Sequence, residues 1–125
     1  MDNRDVIRAY FSAINEERWE DLGNLLDEDA QYLPVGGRLR VGRETVVEGF
    51  QGLFRAWSEH LDDAQQIIVE GEAGAALVRF RGVTTAGLPI EFDAVDYFQL
   101  REGRLWKWST WYDLPAVRAA IGGER

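Results

Sequence analysis

The chain is predicted to fold as a single α+β domain, its helices packed on one side of an antiparallel sheet. Three observations predict this. Apolar residues recur at helical spacing as far as His60, and from Gln65 onward they alternate with a period of two. The 125 residues match the usual size of one domain, and at 46% hydrophobic they can fill one core. No internal repeat, low-complexity segment or linker divides residues 1–125.

Val6, Ile7, Tyr10, Phe11 and Ile14 form the apolar stripe of a first helix, with Asp2 and Asn3 placed to cap it. Trp19, Leu22, Leu25 and Leu26 mark a short second helix, ended by the Asp27-Glu28-Asp29 run. Ala30 to Leu33 reads as a brief strand, stopped by Pro34 and the Gly36-Gly37 turn. A third helix is expected from Glu44 to His60, carrying Val46, Val47, Phe50, Leu53, Phe54 and Trp57 on one stripe. Gly49 and Gly52 weaken it by about 1 kcal/mol each relative to alanine, so tertiary packing must hold it.

Strands are expected over Gln65–Glu70 and Ala75–Thr85, with a turn at Glu70 to Gly74. A Gly87-Leu88-Pro89 turn leads into a strand over Ile90–Leu100, and Glu102-Gly103 joins that strand to Leu105–Tyr112 as a hairpin. A last helix fits Pro115 to Ile121, with proline in its first turn and Gly122-Gly123 beyond its end.

The strand at Ile90–Leu100 is the most informative stretch. One face carries Ile90, Phe92, Ala94, Asp96, Phe98 and Leu100, so a single acid interrupts an apolar row. A buried carboxylate without a partner is costly, and such a group pairs, binds a ligand or takes up a proton. In the last strand Trp106, Trp108, Thr110 and Tyr112 share one face, while Leu105, Lys107, Ser109 and Trp111 share the other. A sheet covered on one side only should be polar on its other side. Trp111 and Tyr97 there predict a homodimer through the outer face of the sheet.

Composition excludes several classes. A net charge of −8 disfavours nucleic acid and anionic membranes, both of which need basic patches. The absence of cysteine rules out disulfide and thiolate chemistry. No apolar run is long enough for a membrane span and no signal-peptide core is present, so a cytoplasmic protein is expected. Metal and cofactor are both expected to be none: His60 is the only histidine, and the Asp27–Asp29 and Asp62-Asp63 clusters read as solvated turns. Gly36-Gly37 and Gly71–Gly74 lack the spacing of a phosphate loop.

Several pieces together resemble the nuclear-transport-factor-2-like, or cystatin-like cone, superfamily. They are Arg8-Ala9-Tyr10-Phe11-Ser12-Ala13-Ile14-Asn15, Asp29-Ala30 followed by Pro34-Val35-Gly36, Val95-Asp96-Tyr97-Phe98, and Gly103-Arg104-Leu105 leading to Trp108 and Tyr112-Asp113. The resemblance points to the branch of SnoaL-like polyketide cyclases, ketosteroid isomerase and limonene-epoxide hydrolase. It implies a curved antiparallel sheet wrapped around about three N-terminal helices, an apolar pocket, and a dimer through the sheet.

In ketosteroid isomerase a tyrosine on the first helix and a protonated aspartic acid on a strand form an oxyanion hole. Tyr10 and Asp96 match those positions, which makes them the candidate catalytic pair. The resemblance departs elsewhere. Leu33 stands immediately before Pro34, where the isomerase has its basic aspartate, and Phe50 replaces a supporting tyrosine. Thr110 occupies the position of the water-activating aspartate of epoxide hydrolase, and Arg79-Phe80-Arg81 keeps that family's arginine without its acid.

The pocket is expected to be lined by Leu33, Phe50, Phe54 and Trp57, together with Trp108, Thr110 and Tyr112. Arg79 is a candidate for an anionic substrate group if it points inward. The expected ligand is a small hydrophobic, carbonyl-containing molecule. Two functions fit: an isomerase, cyclase or lyase acting next to a carbonyl, or a non-catalytic ligand-binding or dimerisation module of the same fold.

Overall fold

The computed structural model describes residues 1–122. The element order is α1 (Asn3–Asn15), α2 (Trp19–Leu25), β1 (Leu26–Pro34), β2 (Arg40–Val41), α3 (Arg43–Phe54), β3 (Trp57–Glu70), β4 (Ala73–Thr84), β5 (Pro89–Arg101), β6 (Arg104–Trp111) and α4 (Leu114–Gly122). It is the α+β arrangement read from the sequence: helices first, then a long meander. None of the described helices is long and apolar enough to cross a membrane.

Asp2 caps α1 by accepting the Asp5 N–H at 2.8 Å. The helix then buries Val6, Ile7, Tyr10, Phe11, Ala13 and Ile14. Asn15 fastens its end to β3, donating to the Asp62 carbonyl at 3.0 Å and accepting the Asp62 N–H at 2.8 Å. The six strands are ordered β2-β1-β6-β5-β4-β3. Ala76, Val78 and Phe80 of β4 and Ala94, Asp96, Phe98 and Leu100 of β5 face the helices.

Four expectations are corrected. The sheet is mixed rather than purely antiparallel, because β1 runs parallel to β6, with Tyr32 opposite Trp108 and Pro34 opposite Thr110. β1 follows a helix rather than a hairpin, so no tight turn fixes its direction. Asp27-Glu28-Asp29 lies inside β1, not in a solvated turn, and Asp27 accepts from Arg101 Nε at 2.9 Å. That hydrogen bond, with one from the Asp29 N–H, holds the Asp27 carboxyl below the usual range.

The third helix stops at Phe54, and Trp57 to His60 belong to β3. Pairing with β4 from Trp57–Thr84 through to Glu70–Ala73 outweighs a helical continuation weakened by two glycines. A bulge between Trp57 and Glu59 breaks the two-residue alternation there, which left the helical spacing of Phe54 and Trp57 as the visible pattern. A further irregularity, opposite the Gln99–Leu100 step of β5, leaves Trp106 as the extra residue of β6 and turns Leu105 to the core alongside Trp108. Trp106 is displaced from the inner row and lies beneath the Arg101 guanidinium and the Lys107 ammonium, 4.3 and 4.4 Å from its ring centre.

Candidate functional site

The curved sheet and the helices enclose a cavity of about 520 Å³. Its walls are mainly apolar and aromatic, supplied by α1, α3, β1 and β3–β6, with Val117 and Ile121 of α4 at one side. This is the composition expected of a site for a small apolar ligand with a few polar contacts.

Asp96 supplies one of those contacts. Strand alternation turns it inward from β5, between Ala76 of β4 and Thr110 of β6. It is 4% exposed, and its Oδ1 has no hydrogen-bond partner. Burial pushes its pKa up to about 7; a hydrogen bond from Thr110 pulls the other way and the charge of Asp62 adds to the rise. At neutral pH a large share of this carboxyl is therefore neutral and able to donate.

Tyr10 is the second. Four rings pack edge-on around it, those of Phe11, Phe50, Phe98 and Trp108, at centre separations of 5.0 to 6.0 Å. Its hydroxyl accepts the Trp108 Nε1–H at 3.2 Å. Burial, then the charge of Asp96, raises its pKa well above the ordinary phenol value, so it stays protonated. Among the described residues no hydrogen bond joins Tyr10 to Asp96. Both line the same cavity, so each can direct its proton at a bound group.

Phe50, Phe54, Trp57, Thr110 and Tyr112 also line the cavity. Trp108 stands behind the wall, donating to Tyr10 and packing against the Tyr32 ring at 5.2 Å. Leu33 lies outside the lining, because the alternation of β1 turns Tyr32 and Pro34 inward instead. Arg79 points to the outer side of β4, where it donates to Glu91 at 2.8 Å and Asp93 at 3.1 Å. An inward anion-binding role for Arg79 is thereby excluded.

Two residues escaped the sequence reading. The Tyr32 O–H donates to Thr110 Oγ1 at 2.7 Å, which fixes the hydroxyl next to Asp96. Its alternation with Ala30 on β1 was the available signal. Asp62, expected in a solvated turn, lies on β3 and faces the cavity. Burial pushes its pKa up to about 6, against a lowering contribution from His60. Among the described residues no three His, Asp or Glu side chains gather closely enough to hold a metal ion.

An α+β fold of this kind, with a phenol and a buried carboxyl lining one apolar cavity, defines a pocket protein. The chain belongs to the SnoaL-like domain family, whose sequence profile matches residues 7–108. No curated protein matches it by sequence.

Solved structures agree on the fold. A protein from Jannaschia sp. CCS1, provisionally assigned as a SnoaL-like polyketide cyclase, is similar with a TM-score of 0.89 and 19% identity, over 98% of this chain and 93% of that one. IdmH of Streptomyces antibioticus, provisionally a polyketide cyclase, aligns with a TM-score of 0.83 and 21% identity, over 98% of this chain and 100% of that one. An epoxide hydrolase of M. tuberculosis resembling limonene-epoxide hydrolase gives 0.82 and 16%, over 95% and 88%. At these identities the likeness is one of fold, and function must be argued from the site.

Proposed function

We propose that the protein is a small-molecule enzyme, an isomerase, cyclase or lyase acting on a carbon next to a carbonyl. Tyr10 and Asp96 donate to the carbonyl oxygen as it takes on negative charge. The supporting observation is the Asp96 carboxyl, buried on the cavity wall with Oδ1 unpartnered. A structural acid would be tied to an arginine or to backbone amides, whereas this one keeps its oxygen for a ligand. A purely apolar binding pocket has no need of it, since an unsatisfied buried oxygen carries a desolvation cost.

Removing one donor of an oxyanion site typically lowers turnover by about 10²–10³-fold. The cavity accommodates a molecule of a few fused rings, and its aromatic walls suit a planar, unsaturated one. A homodimer through the outer sheet face remains part of this reading. There Leu77, Val95 and Trp111 stand in register across β4, β5 and β6, each more than a third exposed, with Tyr97 beside them.

The test compares β-naphthol, a planar mimic of an enolate, with naphthalene, which has the same shape without the oxygen. β-Naphthol is expected to bind more tightly, and Asp96→Asn to remove much of that preference. Equal affinity for the two compounds would falsify the oxyanion reading and leave an apolar binding pocket.

A further inference from the structure

The residues that would hold the oxygen do not remove the proton, and the position before Pro34 offers only Leu33. A second carboxyl nevertheless reaches the cavity. Asp62 and Asp63 are neighbours on β3 with opposite fates. Asp63 points outward and accepts from Arg81 Nη2 at 3.4 Å, whereas Asp62 lines the cavity.

The paired Asn15 hydrogen bonds fix the Asp62 backbone at both its N–H and its carbonyl. Its side-chain oxygens take part in no hydrogen bond among the described residues, so they are free to accept from a ligand. Bulges flank this stretch of β3, between Trp57 and Glu59 and between Ala64 and Gln66. Bulges of this kind re-aim side chains beside functional sites.

Behind Asp62 stands His60, two residues away on the same strand, with its side chain 5% exposed. Its Nε2 meets Glu17 Oε2 at 2.7 Å, and its ring stacks on Phe54 at 4.1 Å. Glu17 reaches this position from a turn with φ +53°, an uncommon backbone for a residue other than glycine. Nδ1 of His60 is buried without a partner. The imidazole is thus clamped on two sides next to an acid that faces the ligand.

We propose that Asp62 is the general base of this site, and that the Glu17–His60 pair, whose histidine lies beside it on β3, is a positioning device. This rests on Tyr10 and Asp96 being the oxyanion donors. The Asp62 carboxylate takes a proton from the carbon beside the carbonyl. The C–H electron pair becomes the carbon–carbon double bond of the enolate, and the charge passes to the oxygen held by Tyr10 and Asp96. The proton then returns from Asp62 to another carbon of the same skeleton, or exchanges with solvent, so no oxidant or co-reactant is needed.

The titratable groups facing Asp62 are His60 on its own strand, Asp96 on β5, Tyr10 on α1 and Tyr32 on β1, with Glu17 acting through His60. Activity needs Asp62 ionised and Asp96 protonated. With the two carboxyls near about 6 and about 7, the pH profile is a narrow bell between those limbs.

The experiment follows exchange with heavy water, by NMR, of the hydrogens of β-tetralone on the carbon between its carbonyl and its aromatic ring. Binding of β-naphthol is measured on the same samples. The wild-type chain is expected to accelerate exchange. Asp62→Asn should lower that acceleration by about 10²–10⁴-fold while β-naphthol binding persists. His60→Gln should move the lower pH limb upward, which loss of packing alone would not do.

If β-naphthol binds both proteins and exchange is the same in both, Asp62 is not the base and the oxyanion reading stands alone. If β-naphthol binds but the wild type does not accelerate exchange, the proposal is likewise overturned. Failure of the wild type to prefer β-naphthol over naphthalene removes the oxyanion reading, and Asp62's role with it.

Discussion

The indole of Trp108 donates to the hydroxyl of Tyr10 at 3.2 Å, so the phenol meets the cavity with its own proton uncommitted to any described residue. The bond orients Tyr10 from behind and polarises its O–H toward whatever oxygen lies in front. Tyr10→Phe removes both the donor and the acceptor for the indole. It is expected to weaken β-naphthol binding by about two orders of magnitude, the usual effect of one oxyanion donor. The orphaned buried N–H should also lower stability by about 1–3 kcal/mol, read from urea unfolding. Full retention of β-naphthol affinity would place the phenol outside the site.

Asp96 gives a stability prediction whose sign follows from its burial. Its folded pKa lies near about 7, against an ordinary value of 3.8. Between those pH values the folded chain holds a proton that the unfolded chain has released, so stability falls as pH rises across that window. Asp96→Asn removes the ionisation and should match wild type at about pH 4 while exceeding it at about pH 8 by up to roughly 4 kcal/mol. Parallel stability curves for the two proteins across this range would contradict the buried, uncompensated carboxyl.

The contrast between Asp96 and Asp62 explains what the sequence could reveal. Asp96 sits in an unbroken alternation from Ile90 to Leu100, so its inward direction follows from parity alone. Asp62 lies between two bulges, where parity fails, and beyond a tryptophan spaced as though the helix continued. Its burial depends on β4 pairing and on Asn15, 47 residues away, which no local pattern encodes. The parallel β1–β6 contact is equally non-local. The helices, whose apolar stripes are local, were legible apart from the end of α3 and that of α2, whose expected last residue, Leu26, belongs to β1.

The outer face of the sheet carries the association prediction. Leu77 opposes Val95, and Val95 opposes Trp111, making one exposed apolar row across three strands. Around it Arg79 pairs with Glu91 and Asp93, and Arg81 with Asp63, so much of the local charge is neutralised despite a net −8 for the chain. Trp111→Glu places a charge in the middle of that row and should convert a dimer to monomer in sedimentation equilibrium. Trp111 lies outside the cavity lining, so β-naphthol binding should survive. A monomeric wild type would remove the association altogether.

Asn15 offers the last test, because it holds β3 to the first helix by both of its amide atoms. Replacing it by alanine removes two hydrogen bonds and leaves the Asp62 N–H and carbonyl without those partners. At about 1 kcal/mol per bond, with more where a buried group is orphaned, stability should fall by roughly 2–3 kcal/mol. The functional consequence is the sharper one. Tyr10 is anchored independently through Trp108 and four packed rings, so enolate-mimic binding should persist in folded Asn15→Ala. Hydrogen exchange of β-tetralone should drop, since the strand that carries Asp62 has lost its register against α1. Equal losses of binding and exchange would mean that Asn15 supports the whole cavity rather than the aim of one carboxyl.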